Sequence, residues 1–212
     1  MNETVRFCLV RHGETSWNAE RRLQGHEDIP LNATGQAQAR ATARLLADTH
    51  FDAAYTSDLA RAADTARAIC SGHLVPTPRA DLRERHYGCF QGLTYTEAQA
   101  AHPQAYAHFE ARTPNRPIPG GESLVDFAAR IHAAFEAIAT EHPNQTVLVV
   151  AHGGVLDIVN RLARALPLDA VRDFRIPNAA LNWLRRDDAG WTIDAWAQEA
   201  HLGQARDELP NG

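Results

Sequence analysis

The stretch VRFCLVRHGETSWN, residues 5–18, decides how this chain is read. Val5, Phe7 and Leu9 alternate with Arg6 and Cys8 and run into Val10, a short apolar run too brief for a core helix and suited to a buried strand. At its end stand Arg11 and His12, followed at once by Gly13. A second run, TVLVVA at 146–151, ends the same way, in His152-Gly153-Gly154. A third strand signal covers 53–56. Between and after these runs, apolar residues recur at i, i+3 and i+4 over 33–47, 58–70, 124–141 and 155–166, which predicts helices. Strands alternating with helices predict an α/β fold around a mainly parallel sheet.

Ser57 and Ser123 stand where helix N-caps belong, and Asp126, three residues after Ser123, suggests a capping box. ALNWL and WTIDAW flank Asp187-Asp188-Ala189-Gly190, the pattern of a hairpin or added edge strand. Residues 93–120 carry no strong strand pattern and predict a small helical insertion over the sheet, closing in the Pro-rich loop PNRPIPGG. The tail after His201 is polar and expected to be loose.

With 212 residues, 44% of them hydrophobic, the chain can bury one substantial core, so residues 1–212 are expected to form one domain. A net charge of -5 and a pI near 6.1 supply no general field for nucleic acid or an anionic membrane. No apolar run approaches the roughly 20 residues that cross a bilayer, and a cytoplasmic protein is expected. Cys8, Cys70 and Cys89 lack CxxC spacing and are read as reduced thiols. All 21 basic side chains are arginines. Without lysine, Schiff-base catalysis and the lysine-dependent P-loop are excluded, and each fixed cation is a planar group suited to phosphate or carboxylate.

Ligands of open parallel sheets bind beyond the carboxyl ends of the strands, where both His-Gly pairs fall. Glycine there permits a sharp exit and close approach of backbone N–H groups, and the helix after His152 offers an N-terminus to an anion. In TSDLARAADTARA, residues 56–68, Arg61 lies in the first helical turn and can point at the same anion. In LRERHYGCFQG, residues 82–92, a partly buried Glu84 can hold a proton for use as an acid. Two histidines, two arginines and a carboxyl together suit covalent phosphoryl transfer. A neutral imidazole whose second nitrogen is held by an acceptor can attack phosphorus, the cations steady the oxygens, and the carboxyl protonates the departing alcohol.

RHGET with Trp17-Asn18, LQGHEDIPLNATGQAQA, SDLARAADTA, LRERHYGCFQGLTY, PGGESL and VAHGGVLDIV occur in an order that resembles the histidine phosphatase superfamily, in its phosphoglycerate mutase-like branch. The resemblance implies a three-layer α/β/α sandwich with a small helical insertion over the site, working without metal or other cofactor. Position by position, His12 resembles the phosphorylated nucleophile and Glu84 the proton donor. Arg11, Arg61 and His152 resemble the phosphate pocket, with Asn18 and the Gly153 backbone as further contacts. Gln24 and Gly25 match the loop bordering the substrate, and Tyr87 a substrate contact of the mutases.

The resemblance covers both phosphatases and mutases. The mutases place a lysine soon after the Glu84 stretch and an arginine pair farther along; here Tyr95 stands near the lysine's place and no such pair occurs before Gly121. A phosphatase of small phosphorylated metabolites, a phosphoric monoester hydrolase of the histidine acid type, is therefore expected, with cofactor-dependent phosphoglycerate mutase as the alternative. Its pocket is expected to be open and partly aromatic, formed by Tyr87, Phe90, Tyr95 and Phe109. Two rivals are weaker: a metal hydrolase using His12, His86, His152 and Glu84, whose cation Arg11 and Arg61 would repel, and a non-catalytic binding protein. The C-terminal hairpin offers an edge for a homodimer.

Overall fold

The computed structural model describes residues 3–203 and Asp207. Most of the tail expected to be loose, 204–206 and 208–212, lies outside the described residues. Six strands form one sheet in the order β3-β2-β4-β1-β5-β6: β1 (Val5–Arg11), β2 (Ala53–Ser57), β3 (Thr77–Arg79), β4 (Thr146–Ala151), β5 (Leu181–Asp187) and β6 (Gly190–Gln198). The first four are parallel, and the predicted hairpin adds β5 and β6 antiparallel to their neighbours, so the sheet is mixed.

Strand alternation assigns each face its layer. Val5, Phe7 and Leu9 of β1, with Val147 and Val149 of β4, face helices α6 (Leu124–Glu141) and α7 (Gly153–Arg164) through residues such as Phe135, Ile138 and Val155. Cys8 and Val10, with Leu148 and Val150, face α2 (Ala33–Leu45) and α3 (Ala60–Cys70) through Ala62, Ala66 and Ile69. The three layers follow from β1 and β4 being apolar on both sides.

Two helix starts differ from expectation. Leu59, not Ser57, is the N-cap of α3 and makes no side-chain cap; the Asp28 carboxylate accepts from the Ala60 N–H at 2.7 Å. A carboxylate reaching over from a distant loop is invisible to a search for a local cap. Ser123 caps α6 as expected, but the Asp126 carboxylate accepts from the Ser123 hydroxyl at 2.6 Å.

Short helices α1 (Ser16–Ala19), α4 (Tyr95–Ala101) and α5 (Pro103–Glu110) complete the set, the last two building the insertion. The insertion has its own small core, in which Phe90 and Tyr106 meet Ala98 and Ile118. Arg112 ties its far end to the body: it donates to Asp157 on α7 at 2.8 Å and to the Leu168 carbonyl at 2.7 Å, all but out of solvent. No described helix is long and apolar enough to cross a membrane.

Candidate active site

At the carboxyl end of β1 the backbone is held from both sides. His12 N–H donates to the Ala151 carbonyl of β4 at 2.9 Å, while the Ala179 N–H and the Asn178 amide donate to the carbonyls of Arg11 and His12 at 3.0 and 2.9 Å. The Arg11 guanidinium donates to the Ile176 carbonyl at 2.8 Å. His12 Nδ1 lies 2.7 Å from the Gly13 carbonyl, an acceptor, so Nδ1 carries the proton and Nε2 the lone pair.

Gly13 permits more than a turn. A β-carbon there would lie 2.5 Å from the Gly35 carbonyl, and one on Gly35 would lie 2.0 Å from the Glu14 carbonyl. The first turn of α2 and the exit loop of β1 therefore touch backbone to backbone.

His152 ends β4 and N-caps α7, its ring centroid 5.2 Å from that of His12. It is fully buried, and neither ring nitrogen has a hydrogen-bond partner among the described residues. Arg61 leaves the first turn of α3 with its amino groups on the carbonyls of Gly25 and Glu27, both at 2.8 Å, while its buried Nε has no partner. Buried donors without acceptors are costly. Arg61 Nε and the His152 nitrogens are such buried polar atoms, and the Arg61 cation is near enough to act on the His152 ring.

Glu84 sits under the start of α7. Its carboxylate accepts from the Gly154 N–H at 3.0 Å and the Arg85 N–H at 2.8 Å. Gly154 must be glycine for this, because a β-carbon would stand 2.2 Å from Glu84 Oε1.

Burial dominates the electrostatics. It holds the proton affinities of His12 and His152 well below the ordinary histidine range, and the cations Arg61 and Arg11 push the same way. Burial lowers Arg61 to about 10, which still leaves it charged at neutral pH. Burial raises the Glu84 carboxyl above its usual value despite the two N–H groups and two arginines that favour its anion. Tyr87 is raised far above the usual phenol, by burial and then by the Glu84 charge. The hollow thus holds fixed positive charge, neutral imidazoles and a carboxyl inclined to keep its proton.

The predicted residues Arg11, His12, Asn18, Arg61 and Glu84 line one cleft, with Gln24, Gly25 and Tyr87 at its sides. His152 lies beside it against His12, and Gly153 is buried at the start of α7 without lining it. Of the four expected pocket aromatics only Tyr87 and Tyr95 reach the cleft; Phe90 is fully buried against Phe109, ring centroids 5.6 Å apart, inside the insertion. Among the described residues no group of three or more His, Cys, Asp or Glu is placed to share a metal ion, and His86 does not line the cleft.

Three contributors escaped the sequence reading. Arg22 and Leu23 line the cleft. His26 Nε2 lies 2.9 Å from the Glu84 carbonyl, its ring 4.6 Å from that of His86. The Arg21-Arg22 doublet before LQG was the one available signal; His26 gave none.

Compared with known proteins, the chain matches the family model of the histidine phosphatase superfamily (branch 1) over residues 7–199. It is 42% identical to phosphoglycerate mutase-like protein 4 of Arabidopsis thaliana, across 92% of this chain and 86% of that protein. It is 40% identical to a metal-independent phosphoserine phosphatase of the same plant, across 95% and 84%. Among solved structures, YhfR of Bacillus stearothermophilus superposes with a TM-score of 0.87 at 32% identity, across 93% of this chain and 99% of that one. With its strand-end histidines, its arginines and its sheet order all in place, the chain belongs to the histidine phosphatase superfamily, branch 1.

Proposed function

We propose that this protein is a phosphatase that hydrolyses phosphate monoesters of small metabolites through a phosphohistidine on His12, residues 1–212 acting as one catalytic unit capped by 93–120. The observation that carries the reading is the His12 ring, its Nδ1 proton committed to the Gly13 carbonyl, set beside His152 and Arg61 donors that lack acceptors. Phosphate oxygens would satisfy those donors while Nε2 faces phosphorus. Nε2 attacks, the P–O bond to the alcohol breaks, and Glu84 delivers its proton to the departing oxygen. Water then attacks the phosphohistidine, giving its proton to Glu84 and releasing phosphate and free His12. Arg11, Arg61 and His152 hold the equatorial oxygens as charge builds on them, with Asn18 at the rim. Gln24, Gly25 and Tyr87 border the alcohol.

Hydrolysis is favoured over isomerisation because, among the described residues, the cleft beyond the phosphate position offers one cation, Arg22, where a bisphosphorylated intermediate has a second phosphate to retain. A panel of phosphoserine, 3-phosphoglycerate, glycerol 3-phosphate and p-nitrophenyl phosphate, assayed for phosphate release and for phosphoglycerate isomerisation, tests this. Isomerisation faster than release from every ester would overturn it.

The pH dependence follows from the same groups. His12 must be neutral, and its lowered pKa puts the acid limb of kcat/KM below pH 6.5. Glu84 must be protonated, and its raised pKa moves the alkaline limb above the 4.5 of an ordinary glutamate. A bell in the mildly acidic range is expected. Glu84→Gln should lower kcat/KM for glycerol 3-phosphate by about 10²- to 10⁴-fold, and far less for p-nitrophenyl phosphate, whose leaving group needs no proton. Equal losses on both esters would remove Glu84 from the acid role.

A further inference from the structure

Arg22 belongs to none of the phosphate contacts just described, yet it lines the same cleft. It enters from the loop ahead of Gln24, where it pairs in an isolated antiparallel bridge with Thr94, the N-cap of α4. Its Nε donates to Glu20 at 2.8 Å; one amino group donates to Glu97 and to the Gly92 carbonyl, both at 2.8 Å. The other amino group has no acceptor among the described residues. The guanidinium is therefore held in one orientation with one donor left over. Glu20 and Glu97 are about half exposed, and such pairs hold weakly enough to be shared with a competing anion.

Resting on the phosphatase reading, we propose that Arg22 is a specificity-determining residue that recognises a carboxylate on the alcohol portion of the substrate. The preferred esters are then those whose phosphorylated alcohol also bears a carboxylate within a few bonds of the phosphate. Two features support this assignment. Among the described residues Arg22 is the remaining cation of the cleft once Arg11 and Arg61 are committed to phosphate, and a planar guanidinium with an open amino group matches carboxylate geometry. Arg22 brings this charge from the first loop, and Tyr95, at the start of α4, lines the same cleft. Glu97 then acts as an internal competitor: its carboxylate accepts from the Thr94 N–H in the capping box of α4, whose other half is the Glu97 N–H donating to the Thr94 hydroxyl, while also occupying part of the same guanidinium.

The test uses a matched pair, 3-phosphoglycerate and glycerol 3-phosphate, which differ by a carboxylate against a hydroxymethyl group. Arg22→Gln should lower kcat/KM for 3-phosphoglycerate by about ten- to a hundredfold, the worth of a charge-assisted hydrogen bond, and lower that for glycerol 3-phosphate much less, so the ratio collapses. Glu97→Gln keeps a capping residue at that position while removing the competing charge, and should shift the ratio the other way, toward 3-phosphoglycerate. Equal losses on both esters in Arg22→Gln would make Arg22 a brace for the insertion and overturn the proposal, as would an unchanged ratio. If the unsubstituted protein releases phosphate from neither ester nor from p-nitrophenyl phosphate, the phosphatase reading falls and this one with it. If it hydrolyses p-nitrophenyl phosphate and the ratio ignores Arg22, only the carboxylate assignment falls.

Discussion

His12→Ala is expected to lower phosphate release by at least about 10⁴-fold, the scale on which removal of a catalytic nucleophile acts, while leaving inorganic phosphate bound within a few-fold. The two halves of that result come from different atoms. Arg11, Arg61, Asn18 and His152 are anchored by their own strands, helices and carbonyls, so deleting the imidazole should leave the proposed anion site standing. What disappears is Nε2, the proposed attacking atom; the His152 ring lies 5.2 Å away, carried by a different strand end. Rapid-quench labelling checks the chemistry directly. The parent should show phosphate bound to protein that is stable in alkali and lost in acid, as an N–P bond is, and the variant should show none. A variant that still hydrolyses p-nitrophenyl phosphate at the parent's rate would mean that phosphorus is attacked by something else.

Gly35→Ala is expected to destabilise the fold by about 3 kcal/mol. Two effects compete, and their sizes decide the sign. In an ordinary helix interior alanine is favoured over glycine by about 1 kcal/mol. At Gly35, however, the added carbon would stand 2.0 Å from the Glu14 carbonyl oxygen and 2.6 Å from the Glu14 nitrogen. Both are backbone atoms already bonded, the nitrogen to the Gln38 side chain at 2.8 Å and the oxygen to the Asn32 N–H at 3.0 Å. Neither can swing aside as a side chain would, so α2 must move off the β1 exit loop. Urea unfolding should show a lower midpoint at an unchanged slope. Because Gly13 abuts Gly35 next to His12, activity should fall along with stability. A variant as stable as the parent would mean that the backbone contact is not tight.

The parts of this molecule legible in the sequence are those set by local pattern. The double-sided apolar runs of β1 and β4 announced two covered faces, and the histidines at their ends fall together because the two strands are parallel neighbours that end at the same edge of the sheet. Illegible features depend on what lies opposite. Gly35 in a helix looks like a mere propensity cost until the Glu14 backbone is seen against it. Ser57 has the chemistry of a cap, yet Asp28 from another loop takes the position. Phe90 and Tyr95 are equally plausible pocket aromatics on composition, and only the packing of the insertion turns one inward and the other to the cleft. Arg22 and His26 carry no spacing signature, since what places them is the bridge to Thr94 and the carbonyl of Glu84.

One arrangement bears on how the protein comes into being on the ribosome. Every recognisable motif lies within the first 165 residues, but the carbonyl that receives Arg11, the amide beneath His12 and the strand that flanks β1 all come later, from residues 176–187, some 165 positions after the groups they support. A nascent chain halted at the last motif would hold Arg11, His12, Arg61, Glu84 and His152 and still lack the backbone against which Arg11 and His12 rest. Contacts this far apart in sequence carry a larger loop-closure cost than local ones. On the proposed mechanism, a chain that has emerged only that far would have no firm seat for His12.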